Sequence, residues 1–142
     1  MSKPLVLFMV LFQLLSSNVV AQTTVHIEIF DISKGKVVMD DQVTNELQQD
    51  VQEFLNGITG VFTQLKPIPE KGFMVKIPID PTMVQNKWFN DVVDEVILIF
   101  PDYENPYLLV FDDENNPRIF TFTGDTNMFM AKLIISPIDL SN

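Results

Sequence analysis

EVILIFPDYENPYLLVFDDENNPRIFTFT, residues 95–123, decides how this chain folds. Three apolar runs, Glu95–Phe100, Tyr107–Phe111 and Arg118–Thr123, are separated by PDYENP and DDENNP, polar connectors that each end in proline. Proline has no amide hydrogen for a strand ladder, and Asp and Asn favour turns, so each connector breaks one strand from the next. Strands joined by links this short pair as antiparallel neighbours. The segment predicts a three-stranded meander with Tyr107–Phe111, apolar on both faces, in its middle and covered on both sides. The two connectors then lie at opposite rims. Five residues at about 3.3 Å each hold them roughly 17 Å apart, so Asp102 and Glu104 cannot share a ligand with Asp112, Asp113 and Glu114.

Working back towards the N-terminus, Phe73, Val75, Ile77 and Ile79 alternate with Met74, Lys76 and Pro78. That is the period of a half-buried strand, and its proline suits an edge or a strand end. Asp80-Pro81-Thr82 suits a turn or helix start, and Trp88, Phe89, Val92 and Val93 read as a short helix behind it. Val43, Leu47, Val51, Phe54, Leu55 and Ile58 recur every three or four residues, which predicts a helix over 42–56 capped by Asp40 or Asp41. The stripe continues towards Leu65, but Gly57 and Gly60 weaken a helix there by about 1 kcal/mol each. TVHIEIF (24–30) and KVVM (36–39), joined by SKG, form a hairpin. After the meander, Asp125, Thr126 or Asn127 caps a short helix that ends at Ser136-Pro137. The expected architecture is α+β in one small domain: an N-terminal β-hairpin, one long helix, an edge strand, a three-stranded antiparallel meander and a short C-terminal helix.

The chain opens MSKPLVLFMVLFQLLSSNVVAQ. One lysine, an apolar run from Leu5 to Leu15 broken only by Gln13, and a small-residue exit at Val19-Val20-Ala21 have the form of a secretory signal peptide. The apolar run is shorter than the roughly 20 residues of a membrane span. An uncleaved anchor, recruiting Val19 to Ala21 past the polar Ser16-Ser17-Asn18, is the rival reading. Cleavage after Ala21 divides the chain into a signal at 1–21 and a single exported domain at 22–142, secreted or held in the cell envelope with no transmembrane segment of its own. Loss of Lys3 leaves eight basic against nineteen acidic residues, a net charge of −11. Such a surface repels nucleic acid, whose affinity for proteins comes from lysine and arginine at phosphates. The absence of cysteine excludes a disulfide framework and lipid attachment at a cysteine.

Several stretches invite a chemical reading. DDENNP places Asp112, Glu114 and Asn116 like the first ligands of an EF-hand loop, but Pro117 stands where glycine is needed and Thr123 where a glutamate belongs, which excludes that family. The meander does bring Asp91, Asp94 and Glu95 to the same rim as Asp112, Asp113 and Glu114, and six carboxylates there make a candidate calcium site. Solvated turn carboxylates are the plainer explanation. His26, the one histidine, has no cysteine beside it for zinc and no serine in a nucleophile elbow. GITG (57–60) lacks the lysine of a phosphate loop and reads as a helix end. KPIP is a linker. Trp88-Phe89 reads as core, with a ligand platform as the alternative. A pair of carboxylates cleaving glycosides is the one enzymatic chemistry the composition permits, and nineteen acids supply such pairs by chance.

ITGVFTQLKPIPEKGFMVKIPI (58–79), WFNDVVDEVILIFP (88–101) and PYLLVFDDEN (106–115) together resemble a group of small secreted proteins from spore-forming Gram-positive bacteria. The resemblance spans most of the exported part. It implies export and carries no activity, cofactor or catalytic residue. The expectation is a non-catalytic exported or envelope domain that binds a protein or envelope component. Calcium binding by the acidic rim, and a small carboxylate-dependent hydrolase, are the alternatives. Expression in a secreting Gram-positive host should yield a product whose N-terminal sequencing begins at Gln22; a retained chain that begins at Met1 or Ser2 would contradict this.

Overall fold

The computed structural model describes residues 26–64 and 66–135, so the signal segment and the Ser136-Pro137 stop lie outside the described residues. In order, these form β1 (His26–Asp31), β2 (Lys36–Gln42), α1 (Asn45–Asn56), β3 (Ile58–Val61), β4 (Gly72–Gln85), β5 (Asn90–Pro101), β6 (Tyr107–Phe111), β7 (Pro117–Phe122) and α2 (Thr126–Ile135). The strands make one seven-stranded sheet in the order β2-β1-β4-β5-β6-β7-β3. All its pairings are antiparallel. The fold is α+β, with the N-terminal hairpin and the β5-β6-β7 meander in place. Among the described residues no helix is long and apolar enough to cross a membrane.

Four local expectations change. β4 is not an edge: it lies between β1 and β5. Its proline is accommodated because the β4–β5 register shifts between Pro78 and Thr82. The amide of Asp80, left without a ladder partner there, donates to Gln48 Oε1 of α1 at 2.9 Å. The helix expected through Trp88 is instead the end of the β4–β5 hairpin, where Thr82, Met83, Val84 and Gln85 pair with Val93, Val92, Asp91 and Asn90. Asn86 makes that turn, its Oδ1 accepting from the amides of Trp88 and Phe89 at 2.8 and 2.9 Å. Beyond Gly57 the helical stripe stops and Ile58–Val61 pairs with β7. A Cβ at Gly57 would lie 2.6 Å from the carbonyl oxygen of Thr123, so this crossing requires glycine. Finally, Asp40 and Asp41 belong to β2, and Thr44 caps α1 through Leu47 N–H at 3.1 Å. Asp125 caps α2 by accepting from Met128 N–H.

Strand alternation gives the sheet two buried faces. On one, Leu47, Val51, Phe54 and Leu55 of α1 and Phe129 and Leu133 of α2 pack against Ile27, Val75, Ile77, Leu98, Leu108 and Phe120. Phe54 sits against Phe122 and Phe129, with ring centroids 5.1 and 5.6 Å away. Lys132 ties the helices together, 2.7 Å from Asp50 and 2.9 Å from Glu46. The other face carries Phe30, Met74, Ile97, Ile99, Tyr107 and Leu109, packed with Phe62 and Ile68. Those two belong to the crossover from edge strand β3 to central strand β4. Phe62 stacks on Tyr107 at 3.8 Å, and the Tyr107 hydroxyl donates to the Pro67 carbonyl. Burial keeps this phenol protonated well above its usual range, so it acts as a donor throughout ordinary pH. Tyr107→Phe should cost about 1 kcal/mol in chemical denaturation. It should also raise amide exchange in residues 66–71 while leaving β6 protected.

Candidate functional site

Antiparallel pairing brings the β4–β5 turn and the β6–β7 connector to one rim of the sheet. They are fastened to each other: Asp91 accepts the Asp113 amide at 3.0 Å through Oδ2 and the Val92 amide at 2.8 Å through Oδ1. Within the connector, Asp112 Oδ1 accepts from the amides of Asn116 and Glu114 at 2.8 and 2.9 Å. Asp112 Oδ2 meets Arg118 Nη1 at 3.4 Å. Asn115, with φ of 64°, takes the left-handed turn position that Asn tolerates. The Asn116 and Glu114 amides, followed by the Arg118 charge, hold the Asp112 carboxyl below its usual range against some desolvation.

Between these two loops lies a cleft of about 330 Å³, lined by Asn86–Asp91 on one side and by Asp112, Asp113 and Arg118 on the other. Lys87 Nζ rests 4.8 Å from the centre of the Trp88 ring, a cation–π contact on a half-buried indole whose neighbour Phe89 is buried in the core. The cleft thus combines an aromatic body, two cations, amides and carboxylates. Such a mixture is the kind of lining that can orient a polar ligand while offering some apolar surface.

The six acids expected at this rim divide. Asp91, Asp112 and Asp113 line the cleft, and Glu114 is exposed in the same connector. Asp94 and Glu95 lie further along β5, where Glu95 is opposite Pro78 and feels Lys76 of β4 and Glu28 of β1. Among the described residues no three His, Cys, Asp or Glu groups are placed to hold a metal ion. Burial pushes the Glu95 carboxyl up to about 7; Lys76 opposes the shift, and Asp94 and Glu28 add to it. His26 Nδ1 lies 2.6 Å from Asp40 Oδ1. Ser33 bonds Asp31 at the turn end of the same hairpin, so this histidine and serine are not neighbours.

Sequence reasoning reached the acidic residues of the rim and missed Arg118, Asn86 and Lys87. The signal for the last two was Gln85-Asn86-Lys87 between Met83-Val84 and Val92-Val93, a turn former between two short apolar pairs.

The Asp112 bonds carry a pH signature. A carboxyl whose folded value is depressed stabilises the fold above its unfolded range, and that contribution fades as pH falls through the folded value. Amide exchange at Glu114 and Asn116 should therefore accelerate in acid below the ordinary Asp range, and Asp112→Ala should show the same acceleration at neutral pH. Comparison with known protein families, characterised proteins and solved structures finds no match for this chain.

Proposed function

We propose that this chain is an exported binding domain that presents the cleft at its acidic rim to a protein or cell-envelope component. The observation that carries the reading is the Asp91–Asp113 tie, which joins two separate hairpins into one preformed concave surface. A site already held in its bound shape loses less entropy on association. Export rests on the cationic start, short apolar run and small-residue exit of residues 1–21. The likeness to small secreted Gram-positive proteins agrees with it.

The cleft's chemistry favours holding a ligand over transforming one. Glycoside cleavage needs a carboxylic acid that keeps its proton near neutrality, facing a second carboxylate across the substrate. Asp112 is held ionised by backbone amides, and both oxygens of Asp91 are occupied by amides. The carboxyl with a raised protonation range, Glu95, faces Lys76 and Glu28 instead. A strong negative charge disfavours anionic polymers, so neutral or basic surfaces are the expected ligands.

Asp113→Lys and Arg118→Glu change exposed cleft residues. Each should weaken retention of the exported chain on a cell-envelope extract by about tenfold or more, as expected for losing a charged contact at the centre of a small interface. Tyr103→Ala, at the opposite rim, should leave retention unchanged. The reverse pattern would move binding to the PDYENP rim, and equal retention by all three variants would remove the cleft from recognition.

A further inference from the structure

The face of the sheet opposite the helices is apolar in the row Phe30, Met74, Ile99 and Tyr107, and ionic in the next. There the register aligns Asp40 of β2, Glu28 of β1, Lys76 of β4, Ile97 of β5 and Leu109 of β6. Lys76 is only 4% exposed. Its Nζ lies 3.3 Å from Glu28 Oε1, a solvent-shielded oxygen with no aligned hydrogen bond, so charge holds this pair together. Glu95 stands one diagonal step away on β5, opposite Pro78, within reach of long side chains across a strand pair.

One ammonium therefore faces two carboxylates in a poorly solvated place. Buried charge in excess of its partners is relieved by taking up a proton. The neighbours of Glu95 settle which group takes it. Burial, the largest influence, disfavours its charged form; Lys76 on β4 opposes burial, and Asp94 on its own strand and Glu28 on β1 act with it. Asp40, beyond Glu28 on β2, is engaged with His26.

The row has mechanical leverage. Among the described residues the β1–β2 hairpin meets β4 through four register pairs, continued by the Ile32 amide donating to the Gly72 carbonyl at 3.0 Å, and Glu28↔Lys76 is the pair furthest from the β1–β2 turn. The geometry points to a pH-sensitive latch: Glu28, Lys76 and Glu95 clamp the N-terminal hairpin to the sheet when one proton accompanies the two carboxylates, and the clamp loosens when both ionise. A carboxyl raised on folding adds stability that is complete below its unfolded value near 4.5 and is lost as pH rises through about 7. Loosening thus belongs to the alkaline side of neutrality, opposite in direction to the Asp112 loop.

Chemical denaturation of the protein from pH 5 to pH 8 tests the latch. The folding constant of the wild type should fall on the order of 100-fold across that range, and Glu95→Gln should abolish most of the fall. His26→Asn, which removes the contact to Asp40 at the end of the same row, should retain the fall. β1 amides, corrected for intrinsic rates, should exchange faster at pH 8 than at pH 6 while β5 and β6 stay protected. If Glu95→Gln does not fold, the carboxyl carbon of Glu95 in the wild type, followed by NMR, decides: a midpoint near 7 supports the latch. A midpoint near 4.5, or an unchanged slope in a folded Glu95→Gln, overturns it.

Discussion

Eleven residue pairs between β4 and β5, from Gly72↔Pro101 to Gln85↔Asn90, position everything else in the chain. Two long strands that bury both faces must present apolar side chains alternately to each side. Val75, Ile77, Val96 and Leu98 do so for the helix face, while Met74, Ile97 and Ile99 do so for the other. β1 then adds to one flank and β6 to the other. The start of the hairpin leaves no room for a side chain: a Cβ at Gly72, where φ is 128°, would sit 2.1 Å from the Phe100 carbonyl oxygen. Its far tip forms one wall of the cleft. Fold and candidate site are thus consequences of a single register.

That register also explains why charge appears where it does. The two helices cover one face and the crossover from Phe62 to Lys71 covers part of the other, anchored by Tyr107. Lys76 and Glu28 continue the apolar rows of the second face as ions, and a buried ion needs its counter-ion close by. Replacing such a pair by apolar residues is often neutral or stabilising, so stability alone does not account for it. The proposed latch would give the pair a role beyond stability. The outer edges are blunted by other means. β2 carries Asp40 and Asp41 and meets β1 with a register shift at Ile29/Phe30, and β3 is four residues long.

Some of this was legible in residues alone. Tyr107–Phe111 reads as a doubly buried strand because it lacks alternation, and its proline-ended connectors force neighbouring strands to reverse. The meander follows from those two facts, as does the meeting of Asp91 with Asp112 and Asp113 at one rim. The α1 stripe reads equally well. Elsewhere tertiary contacts outweighed the local pattern. Pro81 after Asp80 suits a helix start, but α1 supplies Gln48 to the freed amide and lets β4 continue past its bulge. Ile58 and Val61 keep helical spacing, yet the approach of Thr123 to Gly57 turns them into a strand. The central position of β4 depends on pairing with β1, more than forty residues earlier, and no local pattern reports that. The place of Glu95 in the sequence puts it at the acidic rim; its facing Lys76 follows from the shifted β4–β5 pairing.

The continuous β4–β5 hairpin is the claim on which the cleft, the crossover and the ionic row all rest, and the helix suggested by Pro81 and Trp88 is its direct competitor. Met83 and Val92 are exposed and directly opposite each other. The chain contains no cysteine, so Met83→Cys with Val92→Cys isolates the question. Facing positions of an antiparallel pair have the Cα separation a disulfide needs, whereas nine residues of helix place the two about 13 Å apart. Mild oxidation should close an intramolecular disulfide in nearly all molecules without changing the far-ultraviolet circular dichroism. Two persistent free thiols, or only intermolecular cross-links, would contradict the hairpin and every inference built on its register.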